Sequence, residues 1–149
     1  MRETITTALH AAVKAREALR VSTLRLISAA IKDRDIAART TDSGKASDTE
    51  LLELLAKMIK QREESQKIYA EAGRAELAKQ EGDEVIIIRE FLPKQLSDDD
   101  MMKAIDEAIS ESGATSIRDM GKVMGALKSA YAGQMNFGKA SGLVKTKLS

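Results

Sequence analysis

Residues 85–93 read VIIIREFLP, and this is the one stretch of the chain in which strand and helix compete. Three isoleucines follow a valine, and β-branched residues suit a pleated strand. No second segment offers a strand to pair with, so a lone strand would leave its backbone groups without partners. Val85, Ile88 and Leu92 instead share one face of a helix. We therefore predict a helix, ended before the chain's single proline, Pro93, which disfavours helical geometry at the residue preceding it.

The composition of the whole chain favours the same all-α fold. Of its 149 residues, 43% are hydrophobic, 32% are charged and only 3% are aromatic, so the core is expected to be aliphatic. The absence of cysteine excludes disulfides, thiolate nucleophiles and cysteine-based metal sites. No apolar run reaches the roughly 18 residues of a membrane span. We expect a soluble, cytoplasmic protein with no membrane partner.

Pro93 also marks the expected junction between two domains. We predict an N-terminal domain of long helices over residues 1–95 and a small three-helix bundle over residues 96–149. Hydrophobic periodicity places the helices of the first domain at residues 3–15, 17–38, 48–72 and 75–91, with an exposed loop at 39–47.

Several short-range signals delimit these helices. Ser47 and Glu50 form a capping box that opens the long third helix. Arg62 lies within the otherwise apolar row of that helix, so any acidic partner has to come from another helix. In the second domain, Ser97 followed by three aspartates reads as a helix cap rather than a metal site. The other boundary signals there are Gly113, the Ser116/Asp119 capping box and Asn136.

Charge is distributed unevenly along the chain. Residues 97–120 carry two Lys/Arg against seven Asp/Glu, whereas residues 121–149 carry five Lys and no acid. Arg25, Lys32 and Arg39 recur every seven residues on the side of the second helix opposite its apolar face. Both basic surfaces could neutralise a polyanion such as nucleic acid. Alternatively, their side chains only solubilise the helices and complement helix C-termini.

Catalytic signals are weak in this sequence. His10 is the sole histidine, so mechanisms or metal sites that need several imidazoles are excluded. Gly121-Lys122 does not belong to a phosphate-binding loop, because residue 116 is Ser, Val123 follows the lysine and no strand precedes it. We assign no catalytic residue, no metal site and no cofactor.

The glycines near the C-terminus are more informative. Gly121 and Gly125 lie four residues apart on one helix, close to Lys122 and Ser129, although glycine disfavours helix. A smooth, positive face of this kind permits close approach of another backbone, either protein or the sugar-phosphate chain of RNA. Tight helix packing within the bundle would require the same residues, and the pattern does not separate the two explanations.

Several segments together resemble the YqeY family, in the family's order and over essentially the whole chain. In the first domain these are residues 22–27 (STLRLI), 29–32 (AAIK), 57–62 (KMIKQR), 64–65, 69, 72–74, 76–78 and 91–97 (FLPKQLS). Residues 119–125 (DMGKVMG) and 144–148 (VKTKL) are similar to the tail domain that YqeY proteins share with the B subunit of the glutamine-dependent aspartyl/glutamyl-tRNA amidotransferase.

The resemblance implies an N-terminal helical domain joined to a small three-helix domain. In the amidotransferase B subunit, the corresponding tail engages tRNA. Carried onto this sequence, it gives Gly121, Lys122 and Gly125 as RNA-facing candidates, with Lys145 and Lys147 as further ones. The segment from Gly133 to Gly138 departs from the expected pattern, because asparagine and phenylalanine stand at 136 and 137.

Three functions follow from the resemblance. The first is a tRNA-associated adaptor without a catalytic centre, since this chain has no recognisable constellation for glutamine hydrolysis or nucleotide binding. The second is a protein-interaction module that docks on a tRNA-handling enzyme through the long N-terminal helices. The third is an accessory role in carbon–nitrogen ligation with glutamine as amido donor, which is the enzyme class that the family label would suggest.

Overall fold

The computed structural model describes residues 1–149 and contains only helices and their connections. The helices are α1 (Arg2–Ala15), α2 (Ala18–Ala37), α3 (Asp48–Glu71), α4 (Ala75–Arg89), α5 (Asp98–Ser112), α6 (Met120–Ala130) and α7 (Phe137–Leu148). Single 3₁₀ turns lie at Ala38–Thr40 and Ile117–Asp119. The all-α prediction is confirmed, and residues 85–88 are helical within α4. None of the helices combines the length and apolar composition that crossing a bilayer requires.

The chain divides into two compact units, Met1–Leu92 and Pro93–Ser149. Each unit has its own apolar core, and the two cores share no residue. Pro93 is the first residue of the second unit, and the division into domains at residue 95 stays a prediction.

Two helical hairpins build the first unit. α1 packs on α2, and α3 packs along α4, which follows it after a short turn at Gly73. Gly73 has a φ of 73°, the left-handed conformation that glycine adopts without steric cost. The core residues lie on one side of each helix: Ile5 and Ala12; Leu24, Ile27 and Ile31; Leu51, Leu55, Met58 and Ile59; Val85, Ile87 and Ile88.

Capping explains where several helices begin. Ser47 accepts a hydrogen bond from the Glu50 N–H at 3.2 Å, and the Glu50 carboxylate accepts one from the Ser47 N–H at 2.8 Å. This confirms the predicted capping box at the start of α3. The Ser97 cap of α5 and the Asn136 cap of α7 are also confirmed. Gly113 ends α5 in the left-handed conformation, as predicted.

Three sequence predictions in the first unit need correction. Arg39 lies outside α2, in the following 3₁₀ turn, so it does not continue the seven-residue repeat of that helix. Ala46 was expected in an exposed loop but is only 3% exposed, because the loop folds back onto the core. The third helix was expected to run to residue 72 but ends at Glu71, and Ala72 is the exposed residue that follows it.

A partly exposed ion pair holds that loop in place. The Arg2 guanidinium donates to both carboxylate oxygens of Asp35, at 3.1 and 2.6 Å, and to the Ala46 carbonyl at 2.7 Å. Asp35 also accepts a hydrogen bond from the Ala46 N–H at 3.0 Å. The start of α1, the end of α2 and the segment before α3 are therefore joined through one carboxylate.

This carboxylate should make the first unit sensitive to acid. The Arg2 hydrogen bond, followed by the Ala46 N–H, holds the pKa of Asp35 below its usual 3.8. Because the folded-state pKa is the lower one, the stabilisation is complete above pH 3.8 and is lost as the pH falls through the folded value. We expect Asp35→Asn to lower the melting temperature at neutral pH and to match wild type in strong acid.

Thermal melts across this pH range would test the prediction. Asp42→Asn provides a control for the loss of a carboxylate, because Asp42 lies in the loop that Asp35 anchors, is exposed and forms no salt bridge. An Asp35→Asn variant as stable as wild type at neutral pH would contradict the assignment.

Candidate nucleic-acid interface

The solvent side of α6 carries only small residues and lysines. Val123 and Leu127 point into the core and are at most 1% exposed. Helical periodicity then directs the opposite side outward. We call this exposed side the α6 face; it consists of Gly121, Lys122, Gly125, Ala126, Lys128 and Ser129.

The two glycines of the α6 face are open to solvent. A Cβ built on either Gly121 or Gly125 would meet no atom within 4 Å beyond its chain neighbours and the backbone of its own helix. Tight packing within the bundle therefore does not account for these glycines. Their backbone is accessible, which is the condition for close approach of another molecule.

The five lysines of α6 and α7 fall into two groups. On α7, Lys139 pairs with Asp98 of α5 at 2.7 Å, and Lys147 pairs with Asp106 of α5. Lys122, Lys128 and Lys145 are exposed and form no salt bridge. These three ammonium groups keep their charge available for an external anion.

Asp119 is the carboxylate next to the α6 face. It accepts hydrogen bonds from the N–H groups of Thr115 at 3.0 Å and Ser116 at 3.4 Å. These two bonds, with a smaller contribution from Lys122, lower the pKa of Asp119 below its usual value. The confirmed Ser116/Asp119 capping box thus orders the turn that leads into α6.

The structure brings together only some of the residues that the sequence predicted to contact RNA. Gly121, Lys122 and Gly125 lie together on the α6 face, and Lys145 lies on α7 of the same unit. Lys147 is bound by a carboxylate, so it is not a free cation. Two members of the predicted N-terminal basic face, Arg25 and Lys32, are exposed on α2 of the other unit, while Arg39 lies beyond that helix.

Sequence reasoning omitted Lys128 from the site. The signal was present, because residue 128 follows Gly121 by seven positions and Gly125 by three, which places all three on the same side of a helix.

Hydrogen bonds fix the conformation of the segment from Gly133 to Gly138. The Gln95 side chain donates to the Gly133 carbonyl, and the Leu96 N–H donates to the Gln134 carbonyl at 2.8 Å. The Asn136 side chain accepts from the N–H groups of the first turn of α7. The asparagine that departs from the expected family pattern therefore serves as a helix cap.

The remaining candidates for catalysis or metal binding are the single histidine and the acidic side chains. His10 is exposed on α1. No group of three or more His, Asp or Glu side chains is arranged to hold a metal ion.

A comparison with protein-family models matches residues 2–148 to the family described as Yqey-like protein. The match covers nearly the whole chain. None of the curated proteins matches this sequence.

Proposed function

Because the chain belongs to the YqeY family, we propose that it is a tRNA-associated adaptor without a catalytic centre of its own, related in this role to the tail of the tRNA amidotransferase. The α6 face, with Lys145, is the surface that contacts RNA. One observation carries the proposal: every residue of this face is Gly, Ala, Ser or Lys, and its lysines form no salt bridge.

The free lysines supply the affinity in this proposal. Lysines that neutralise phosphates release condensed counterions, so the observed binding constant falls as salt rises. Contacts from Lys122, Lys128 and Lys145 correspond to a slope of about −2 to −3 in a plot of log K against log salt concentration. The Lys139 and Lys147 ammonium groups contribute less, because each already has a carboxylate partner.

The glycines supply access. Gly121 and Gly125 leave the helix backbone uncovered between the lysines. A sugar-phosphate chain can then lie against α6 while the longer lysine side chains reach neighbouring phosphates. Contacts of this kind position RNA and carry no sequence information.

Titration of labelled tRNA at several salt concentrations tests the proposal. We expect the triple variant Lys122→Glu/Lys128→Glu/Lys145→Glu to weaken binding more than tenfold and to flatten the salt dependence. The control is Lys57→Glu/Lys60→Glu/Lys67→Glu, which makes the same change in net charge on exposed lysines of α3. This control should bind within about twofold of wild type.

A second variant separates access from charge. Gly125→Gln adds a side chain into open space and raises helix propensity by up to about 1 kcal/mol, so α6 should remain folded. We expect it to weaken tRNA binding without altering the salt slope. Absence of tRNA binding at low ionic strength, or equal losses in the two triple variants, would overturn the proposal.

A further inference from the structure

The first unit contains two open grooves of similar size, and they differ in the state of their charges. The groove between α3 and α4 has a volume of about 370 Å³, and its Lys79 pairs with Asp83 while Arg89 pairs with Glu63. The groove between α1 and α2 has a volume of about 380 Å³. We call the latter the α1–α2 groove; its lining residues are Val13, Arg16, Ala18, Val21, Ser22 and Arg25.

Both arginines of the α1–α2 groove are exposed and form no salt bridge. The nearest arginine along α2, Arg20, is in a different situation, because it pairs with Glu90 at 2.8 Å and lies 3.8 Å from Glu17. The contact between Arg20 and Glu17 also partly neutralises the Glu17 carboxylate. The groove therefore presents two guanidinium groups that form no salt bridge.

The turn between α1 and α2 places Arg16 and the uncapped start of α2 at this groove. Arg16 is the only non-glycine residue with a positive φ, 58°, and it forms the turn between the two helices. Left-handed geometry disfavours a side chain of this size. No side chain caps the start of α2, so its first N–H groups retain a positive partial charge near the groove.

The rest of the lining is apolar except for Ser22, whose hydroxyl donates a hydrogen bond to the Leu19 carbonyl. Val13 is 48% exposed at the end of α1, although residues of its type are usually buried. Ala18 and Val21 face the same groove from α2. An occupant with an apolar side chain would cover Val13 and remove that surface from water.

We propose that the α1–α2 groove docks a short acidic peptide segment of a partner protein. One large apolar side chain of the peptide packs against Val13 and Val21, and flanking Asp or Glu carboxylates bind Arg16 and Arg25. Arginine suits this task because its planar guanidinium forms paired hydrogen bonds with a carboxylate.

The lining favours a peptide over RNA. Phosphates would use the arginines but gain nothing from the aliphatic wall, and the groove has no aromatic side chain on which a base could stack. A carboxylate-bearing peptide uses both parts of the surface. RNA binding at the groove is accordingly an outcome that contradicts the proposal.

The test uses the full chain as bait for a phage-displayed library of random short peptides. Enriched sequences should combine a Leu, Ile, Met or Phe with neighbouring Asp or Glu. A synthetic peptide of the enriched sequence should then shift the backbone NMR signals of Val13, Ala18 and Val21. Replacing its apolar residue by Ser, or its acids by Asn and Gln, should each weaken binding at least tenfold.

Matched protein variants locate the site. Arg25→Glu and Val13→Ser should each weaken peptide binding at least tenfold. Arg34→Glu makes the same charge reversal on α2 outside the groove, and Ile68→Ser makes a comparable polar change at a side chain 63% exposed on α3. Neither control should change the affinity more than twofold.

Four outcomes would overturn the proposal. The first is no enrichment of acidic-apolar sequences, and the second is NMR shifts outside the groove. The third is an equal loss of peptide affinity in the control variants. The fourth is a loss of tRNA binding, rather than of peptide binding, in Arg25→Glu. The tRNA proposal for α6 is tested with different residues in the other unit, so either can fail without the other.

Discussion

Replacing Glu84 by Ala should lower the free energy of unfolding of the first unit by about 3 kcal/mol. The Arg62 Nε lies 3.1 Å from the Glu84 Oε2, and these side chains are only 14% and 10% exposed. Arg62 also donates to the Met58 carbonyl at 3.3 Å, so it cannot turn to solvent without losing a further bond. Removing Glu84 leaves a charge between α3 and α4 without its partner, which costs more than the pair contributes.

A second pair between the same helices provides the control. The Arg89 Nη2 lies 2.5 Å from the Glu63 Oε1, but these side chains are 54% and 48% exposed. Water already solvates both groups, so Glu63→Ala should cost less than about 1 kcal/mol. The double variant Arg62→Met/Glu84→Leu should recover much of the stability lost in Glu84→Ala, because it leaves no unpaired charge.

Glu81 offers a direct reading of the same site. Burial, and then repulsion from Glu84, raises the pKa of Glu81 above its usual 4.5, while Arg62 opposes the shift. In Glu84→Ala the repulsion is gone, so the Glu81 pKa should fall when followed by NMR titration. Urea unfolding that gives equal losses for Glu84→Ala and Glu63→Ala would contradict the prediction.

Leu127→Ala should destabilise the second unit by about 3 kcal/mol and leave the first unit intact. Leu127 is 1% exposed in the core that α5, α6 and α7 share, and truncation there leaves a cavity. The core of the first unit contains none of these residues. Hydrogen exchange should therefore accelerate in residues 93–149 and remain unchanged in residues 1–92.

Two variants complete this experiment. Leu55→Ala, at a fully buried position of the first core, should give the reverse pattern. Leu26→Ala, at a side chain 49% exposed on α2, should change neither unit appreciably. Equal acceleration in both units on Leu127→Ala would show that the chain unfolds as one cooperative domain, and the prediction of two domains would fail.

The short-range features of the fold were accessible from the sequence. The capping box at Ser47, the cap at Asn136 and the helix ends at Gly73 and Gly113 depend on interactions within about one helical turn. Helix was also predictable for residues 85–88, because the chain offered no partner strand. Helical spacing likewise predicted that a partner of Arg62 has to come from another helix.

Other features could not be read in this way. That Arg62 meets Glu84, 22 residues later, depends on how α3 and α4 align. Likewise, Lys139 and Lys147 each pair with an aspartate 41 positions earlier, so α5 and α7 run in parallel register at these pairs. The freedom of Lys145 and the loss of Lys147 as a free cation follow from that register.

Residue order along the chain thus specifies the helices, their ends and the outward side of α6, because these depend on neighbours within about four positions. The pairing of Arg62 with Glu84, the pairing of α7 lysines with α5 aspartates and the burial of Ala46 arise only when segments distant in sequence pack. The physical reason is that an ion pair requires its atoms to lie within about 4 Å, and packing between helices sets that distance.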